Sequence, residues 1–326
     1  MKRINIKDLA RMLSINASTV SRALADHPDI SDATKARVHT AAKELNYTPN
    51  LHAKFFRQKA SGLIAVVLPE FNMFFIPEMM KAINHSLGKN GYTLIMFFSN
   101  NSTEKEAEII NHCISWVVDG VLISMAEDTN SLNHLNVLRD AGIPVVLMDK
   151  VIENECFPTV TIDDFTTTFD AVSHLIHTGC KNILGVFGHE GLQISKQRFG
   201  GFIKALTANG IHFNANNIIY KDANFQEKFE KTIQEALYDG IFFMSDELLS
   251  VSYPTLVQYA LYPKKLKIIA ISDGTFPNQI YPKADYFLHS AYELGTVASE
   301  SLMEYIQDKN KEVNHFKLKT YFKTKY

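Results

Sequence analysis

Three runs of apolar positions at helical spacing occupy the first 45 residues. Asn5 is the expected cap of the first helix, and Asp8 lies in its first turn, where the helix dipole favours an acid. The apolar stripe of this helix is Ile6, Leu9, Ala10 and Leu13. A second helix should begin after Asn16 and bury Val20, Ala23 and Leu24. A third fits residues 32–45 behind a cap at Ser31. Together, the three predict a helix-turn-helix module.

Beyond residue 62, apolar runs of strand length alternate with amphipathic helices. Strands are predicted at 63–68, 92–98, 120–125, 144–148, 182–187, 218–220, 241–244 and 267–271, with a further strand that ends before Asp163. Helices are predicted at 76–87, 107–117, 132–141, 165–178, 196–209, 226–237, 248–259 and 291–306, with an interruption at Ser252 to Pro254. Glycines such as Gly91 and Gly142 follow helices, where a left-handed end is expected. The fold class is therefore a small all-α module followed by an α/β body of two doubly wound parallel-sheet lobes.

The distribution of charge along the chain is more informative than the net charge. The chain has 326 residues, 46% of them hydrophobic, and a net charge of -2. Residues 1–60 contain eleven Lys and Arg against five Asp and Glu, a net charge of +6, so the remainder carries -8. Only the N-terminal part therefore has the charge that suits a polyanion such as DNA.

The second helix carries the side chains that could read DNA. Ala17, Ser18, Ser21 and Arg22 face away from its apolar stripe, and Thr19 lies among them. Hydroxyl groups can bond bases or phosphates, and arginine pairs bidentately with guanine. Each residue alone could instead be a helix-start residue or a solvated charge. Their grouping in the only basic segment favours a DNA-binding surface.

The sequence resembles the lactose-repressor (LacI/GalR) family of bacterial transcription regulators. The matching N-terminal segments are Ile6-Lys7-Asp8-Leu9-Ala10, Ser18-Thr19-Val20-Ser21-Arg22-Ala23-Leu24 and Glu44-Leu45-Asn46-Tyr47-Thr48-Pro49-Asn50. In the body, the matches are Phe74-Phe75, Gly91-Tyr92, Val118-Asp119-Gly120, Gly142-Ile143-Pro144, Arg198-x-x-Gly201-Phe202 and Tyr292-Glu293-Leu294-Gly295. The resemblance implies DNA contacts by Ile6, Lys7, Ala17, Ser18, Thr19, Ser21, Arg22, Ser31, Thr34, Tyr47, Asn50, Ala53 and Phe56.

The resemblance also implies a domain division and a hinge. The expected domains are a DNA-binding module at 1–48, a hinge at 49–61 and an effector-binding and dimerisation domain at 62–326. The first lobe of this domain takes about 62–161 with part of 290–326, and the second takes about 162–289. In the family, the hinge folds on the operator and inserts an apolar side chain into the minor groove. Phe56 stands at that position and Phe55 is the competing candidate.

Most candidate ligand contacts lie where predicted strands end, because parallel sheets bind ligands at their carboxyl edges; Arg198 lies near the start of a predicted helix. They are Phe71, Phe75, Asp149, Arg198, Asp246 and Asp273. In the family, the positions of Asp149, Arg198 and Asp246 hold a small effector, which suggests a sugar here. Taken singly, Asp149 and Asp246 could instead cap helices, and Arg198 could pair with a surface acid.

Other classes of protein fit the sequence less well. It has no phosphate-binding glycine loop, no metal-ligand spacing and no nucleophile elbow, so we expect neither a cofactor nor an enzyme. The first residues lack the apolar core of a signal peptide and no run is long enough to span a membrane, so we expect a cytoplasmic protein. The leading hypothesis is a homodimeric repressor of a palindromic operator. The alternative is a cytoplasmic solute-binding or sensor protein that activates transcription.

Overall fold

The computed structural model of the protein describes residues 4–45, 47, 60–259, 261 and 266–324. The chain divides into two compact units, Met1–Ser61 and Gly62–Tyr326, which we call the headpiece and the body. The predictions for the hinge helix lie outside the described residues, as do those for Asn50, Ala53, Phe55 and Phe56. In the described part of the chain, no helix combines the length and the apolar character needed to cross a membrane.

Three helices form the headpiece, as the apolar spacing predicts. They are α1 Ile6–Leu13, α2 Ala17–Leu24 and α3 Asp32–Glu44. Their apolar stripes meet in a small core of Leu9, Ala10, Val20, Ala23, Val38 and Ala42. Burial of these side chains is the main source of stability, because helices of 8 to 13 residues are marginal on their own in water.

The ends of the headpiece helices are fixed by local hydrogen bonds. Asn5 accepts from the backbone N–H of Asp8 at 3.1 Å, and the Asp8 carboxylate accepts from the N–H of Asn5 at 3.1 Å. This reciprocal pair is a capping box. Ser31 caps α3 by accepting from the N–H of Thr34 at 3.4 Å. Asn16 occupies the cap position of α2, but its side chain makes no cap hydrogen bond.

The elements of the body alternate along the chain, as the sequence predicts. The strands are β1 Leu63–Leu68, β2 Thr93–Phe98, β3 Gly120–Ile123, β4 Val145–Met148, β5 Thr159–Ile162, β6 Ile183–Phe187, β7 Ile218–Tyr220, β8 Gly240–Phe243, β9 Lys267–Ser272, β10 Asp285–Leu288, β11 His315–Leu318 and β12 Tyr321–Lys323. The α-helices are α4 Ile76–Lys89, α5 Thr103–Ser115, α6 Asn136–Asp140, α7 Asp164–His177, α8 Gln193–Ala208, α9 Phe225–Glu235, α10 Asp246–Gln258 and α11 Ala291–Gln307.

The strands form two six-stranded sheets, one in each lobe. In the first lobe the order is β11-β5-β4-β3-β1-β2, and every pair is parallel. In the second lobe the order is β12-β10-β9-β8-β6-β7, in which only β12 runs antiparallel to its neighbour. This confirms the predicted fold class of two parallel-sheet lobes.

Helices cover both faces of the first sheet. Alternate residues of β1 point to opposite faces: Ile64 and Val66 pack in the cluster that contains α4 and α11, while Ala65 and Val67 pack in the cluster that contains α5. Strands buried on both faces need nearly continuous apolar sequence, which is why β1 reads Leu-Ile-Ala-Val-Val-Leu. The second lobe has one large core rich in phenylalanine, including Phe187, Phe202, Phe229, Phe242 and Phe243.

The chain passes between the lobes three times. It leaves the first sheet after β5, returns from β10 into α11, and crosses again between β11 and β12. Helix α11 packs with α4 in the core of the first lobe through Leu294, Ala298 and Leu302. In the last crossing, Thr167 and Thr320 share a hydrogen bond of 2.9 Å between their hydroxyls. Three connections restrict how the two lobes can move relative to each other.

Several sequence predictions at element level are wrong. The prediction missed β10, β11 and β12, which are short and carry polar residues on a half-exposed surface. The expected interruption of α10 does not occur: Pro254 lies inside the helix, where burial of Ser252, Thr255 and Leu256 outweighs the lost backbone hydrogen bond. Residues 132–141 form a short 3-10 turn followed by α6 rather than one helix.

The close packing of α4 against α11 depends on Gly295. A Cβ at this position would lie 2.5 Å from the carbonyl oxygen of Met79, so the Gly295→Ala variant must separate the two helices. We expect it to lower the free energy of unfolding by about 1–3 kcal/mol, measured by urea denaturation.

Gly88→Ala is the matched control. Gly88 lies in the same helix pair, and a Cβ there would have no neighbour within 4 Å. This variant should gain roughly 0.5–1 kcal/mol from helix propensity. Equal effects of the two substitutions would contradict the packing argument.

Candidate functional sites

The outer face of α2 is accessible to a partner molecule. Ser18 and Arg22, one helical turn apart, are exposed, whereas Ala17, Thr19 and Ser21 are partly buried. Val20 and Ala23 on the opposite face are in the core. Within the described residues, no acid forms an ion pair with Arg22. The guanidinium is therefore available for an external anion or base.

The other predicted DNA contacts of the headpiece lie at helix ends. Lys7 is exposed on α1, next to the partly buried Ile6. Ser31 and Thr34 share a hydrogen bond of 2.9 Å between their hydroxyls at the start of α3. Tyr47 packs against the headpiece core, and this burial raises the pKa of its phenol. No described contact brings these residues onto one continuous surface with Arg22.

A cleft lies within the body, and the empty space in and around it, including open solvent, is about 780 Å³. Five of the six predicted ligand contacts line it: Phe75, Asp149, Arg198, Asp246 and Asp273. Four of them follow a strand or lie at the start of a helix, and Arg198 lies in the second turn of α8. The parallel topology thus brings side chains distant in sequence together. Phe71 does not line the cleft; it is 66% exposed, and its ring packs edge-to-face on Phe98 at 5.4 Å.

Arg198 is the central cation of the cleft. The residue is 3% exposed, and its Nε donates to the Asp164 carboxylate at 2.7 Å. Its Nη1 donates to the carbonyl oxygen of Met244, at the end of β8. Arginine is rarely buried unless it is paired in this way. The alternative that Arg198 pairs with a surface acid is wrong, because Asp164 is itself almost fully buried.

Two buried carboxyl groups face the same cleft. Burial raises the pKa of Asp149 to about 6, although the positive charges of Lys150 and Arg198 oppose this shift. Burial also raises the pKa of Asp246, and the neighbouring charge of Asp273 adds to this effect. Asp246 accepts from the Ser272 hydroxyl at 2.7 Å, while its other oxygen, Oδ1, has no hydrogen-bond partner within the described residues.

Neither acid caps a helix through its side chain. Ser245 caps α10, and its hydroxyl accepts from the N–H of Leu248 at 3.5 Å. Asp149 has a φ of 60°, a left-handed conformation that costs free energy for a residue other than glycine. Both side chains are therefore held in the cleft rather than used for helix ends.

An aromatic wall completes the cleft. The rings of Phe75 and His289 stack with centroids 6.1 Å apart. Burial lowers the pKa of His289 to about 3, with a further contribution from Arg198, so this imidazole is neutral in ordinary buffers. Its Nε2 has no hydrogen-bond partner in the described part of the chain. A flat or sugar-like face could stack here while a polar group bonds to Nε2.

The two lobes also contact each other directly beside the cleft. The backbone N–H of Phe74, in the first lobe, donates to the Glu247 carboxylate of the second lobe at 3.0 Å. The Phe74 ring packs against Phe276 with centroids 5.5 Å apart. These contacts link the two lobes beside the cleft.

Sequence reasoning missed several residues of the cleft. His289 follows β10, which the sequence prediction did not include; with that strand assigned, the carboxyl-edge rule would have selected it. Lys150 and Glu127 form an ion pair of 3.4 Å in the lining, and no sequence signal links them. Among the described residues, no group of three or more His, Cys, Asp and Glu could hold a metal ion.

The raised pKa of Asp149 makes stability depend on pH. The unfolded chain releases this proton near pH 4, whereas the native protein keeps it until about pH 6. The native state therefore binds more protons in this window, and its free energy of unfolding falls as the pH rises through it. Asp149→Asn removes this contribution, so relative to wild type it should gain up to about 3 kcal/mol between pH 4 and 6.

Denaturation at a series of pH values measures this difference, and Asp140→Asn, an exposed acid outside the cleft, serves as the control. A difference between Asp149→Asn and wild type that stays constant with pH would show that Asp149 is not held protonated.

Comparison with known proteins identifies the family. Residues 5–50 match the family model "Bacterial regulatory proteins, lacI family". Residues 61–240 match "Periplasmic binding proteins and sugar binding domain of LacI family". The catabolite control protein A of Priestia megaterium is 28% identical over 316 residues, which cover 95% of this chain and 93% of the relative. The ribose operon repressor of Halalkalibacterium halodurans is 26% identical, with 97% and 94% covered.

Solved structures show the same fold. The Lac repressor dimer bound to operator and the anti-inducer ONPF has a TM-score of 0.86 at 18% identity, with 99% of this chain and 98% of that chain covered. The complex of the regulator CelR with cellobiose has a TM-score of 0.73 at 21% identity, with 99% of each chain covered. One family model spans more than half of the chain and the other spans its helix-turn-helix. The chain therefore belongs to the LacI family and is a DNA-binding transcription regulator.

Proposed function

We propose that the protein is a cytoplasmic repressor that binds a palindromic operator as a homodimer, and that a sugar or sugar-derived effector in the cleft changes its operator affinity. One observation carries the proposal: the chain joins a basic helix-turn-helix to a two-lobed cleft in which Phe75, Asp149, Arg198 and Asp246 converge. Relatives named for control of ribose use and of catabolite response support the choice of effector class.

In this proposal, α2 reads bases in the major groove. Arg22 would pair bidentately with a guanine, Ser18 would bond a base edge or phosphate, and Ala17 would allow close approach to a thymine methyl. The remaining predicted headpiece contacts would position the module on the backbone: Ile6, Lys7, Thr19, Ser21, Ser31, Thr34 and Tyr47. Roles for Asn50, Ala53 and Phe56 in the hinge, and the module boundaries at 48 and 61, stay predictions from the sequence.

The cleft could control DNA binding through the placement of its lobes. Asp149 and Phe75 come from the first lobe, while Arg198 and Asp246 come from the second. A ligand that bonds both sets favours the lobe arrangement in which both are within reach. The contact of Phe74 with Glu247 already contributes to the equilibrium between lobe arrangements, and the ligand would shift that equilibrium. Operator and effector are then coupled through one equilibrium, and each changes the affinity for the other.

Operator recognition can be tested once genomic fragments retained by the purified protein have been sequenced. Arg22→Ala should then weaken binding to the best fragment roughly 5- to 150-fold, because a bidentate base contact contributes about 1–3 kcal/mol. Fluorescence anisotropy with labelled DNA measures the Kd. Arg11→Ala is the control, because Arg11 is exposed on α1, where it lies 3.7 Å from Asp8. An equal loss in both variants would contradict base reading by Arg22.

Effector control can be tested with the same DNA and a panel of sugars. An effector should change the operator Kd by about 5- to 150-fold, the usual range of coupling between sites. Phe75→Ala should abolish this response without changing the Kd measured in the absence of sugar. Phe71→Ala is the matched control, because Phe71 precedes the same helix but does not line the cleft. Loss of the response in both variants would argue against stacking on Phe75.

A further inference from the structure

The side chains that line the cleft carry more acid than base. The acids are Glu70, Glu127, Asp149, Asp246, Glu247 and Asp273, and the bases are Lys150, Arg198 and Lys221. The polar side chains that complete the lining are Ser245, Ser272 and His289, without an Asn or Gln. A ligand in this cleft therefore meets many hydrogen-bond acceptors and few uncommitted donors.

Most of the positive charge is already used within the protein. Lys150 pairs with Glu127 at 3.4 Å, and Arg198 donates to Asp164 and to the carbonyl of Met244. Lys221 is exposed. These two paired cations thus neutralise Glu127 and Asp164, although their charges still favour the ionised form of Asp149.

The central carboxyl groups have unused acceptor capacity. Asp246 is 4% exposed; its Oδ1 receives no hydrogen bond from a donor within the described residues, and the neighbouring Asp273 carboxylate can only share a proton with it. From the part of the chain that the structure describes, the Asp149 carboxylate receives one long hydrogen bond, of 3.5 Å, from the Ser124 hydroxyl. Burial is the main cause of the raised pKa of Asp246, and the charge of the nearby Asp273 also raises it. A buried acceptor without a donor costs about 1–3 kcal/mol, so an external donor would be bound favourably.

A second, independent observation points to a ligand at the same place. His289 is 7% exposed, lines the cleft, and has an unpartnered Nε2, although it belongs to a different strand end from Asp246 and Asp273. Its stacking on Phe75 leaves a flat wall beside the acids. Unused polar atoms on two separate walls of one cavity are the arrangement expected for a site completed by a bound molecule.

We propose that the effector carries a protonated amine, as an amino sugar does, and that this ammonium group binds between Asp246 and Asp273 with Asp149 facing it from the other lobe. The inference rests on the proposed function of the cleft. An ammonium group has three donors and no acceptor, which matches this lining better than a neutral hydroxyl group does. It also supplies the positive charge that the cleft lacks, and bonds between charged groups are about twice as strong as neutral ones.

Binding should release protons. In the free protein, burial and the charge of Asp273 favour the protonated form of Asp246, while Glu247 acts in the same direction. The pKa of Asp149 is raised by burial. The charges of Lys150 and Arg198 lower this pKa, and those of Asp164 and Glu247 raise it. An ammonium ion favours the ionised carboxylates, so protons leave the site as the amine enters. His289 stays neutral and does not contribute near pH 7.

Titration calorimetry on the full chain tests the proposal with matched compounds. The pairs are D-glucosamine with D-glucose, D-galactosamine with D-galactose and D-mannosamine with D-mannose. At least one amine should bind about tenfold or more tightly than its neutral partner, corresponding to about 1.4 kcal/mol. The heat of binding of that amine should differ between Tris and phosphate buffers, because the buffer takes up the released protons. The N-acetyl form of that amine keeps the nitrogen but removes the charge, and should lose the preference.

Asp246→Asn should reduce the preference for the amine to less than threefold, whereas Asp140→Asn should leave it intact. A neutral sugar that binds as tightly as its amine and changes operator affinity would overturn the inference but preserve the proposed function. Failure of every compound to bind would count against both. Equal binding of the amine and its N-acetyl form, without proton release, would also overturn the inference.

Discussion

The buried guanidinium of Arg198 is the interaction on which the arrangement of the cleft depends. It joins α8 to α7 through Asp164 and to the end of β8 through the Met244 carbonyl. Removing one partner of such a pair leaves an uncompensated buried charge, which typically costs about 3–5 kcal/mol. The same charge lowers the pKa values of Asp149 and Asp164 against the effect of burial. Arg198 therefore fixes both the geometry of the second lobe and the charge state of its neighbours.

The acids that Arg198 does not neutralise give the cleft its chemical character. Asp149 reaches the cleft from the first sheet, whereas Asp246 and Asp273 follow β8 and β9 of the second. Because they come from different lobes, a ligand that bonds them also bonds the lobes to each other. The direct contact of Phe74 with Glu247 shows that the lobes already interact beside the cleft. Binding and lobe placement thus share the same few side chains, which is the physical basis for regulation by a small molecule.

Sequence reasoning succeeded where the local pattern reflects burial on a defined face. The headpiece helices follow from Leu9, Val20 and Val38 at helical spacing, and the inner strands of both sheets are continuous apolar runs. It failed for β10 to β12, whose half-exposed sequences resemble loops. It also failed for α10, where tertiary packing holds Pro254 inside a helix. In both cases, contacts with distant residues outweigh a local preference.

The sequence by itself determined that a basic helix-turn-helix precedes an α/β body, and it selected five of the residues that line the cleft. These features depend on periodicity, charge and the rule that parallel strands end at one edge, all of which can be read along the chain. Only the tertiary structure decided that Arg198 pairs with Asp164, that Phe71 lies outside the cleft, and that His289 stacks on Phe75. Which side chains pair depends on which ones meet when the lobes fold and pack. Burial, which shifts pKa values and can leave polar atoms without hydrogen-bond partners, likewise exists only in the folded protein.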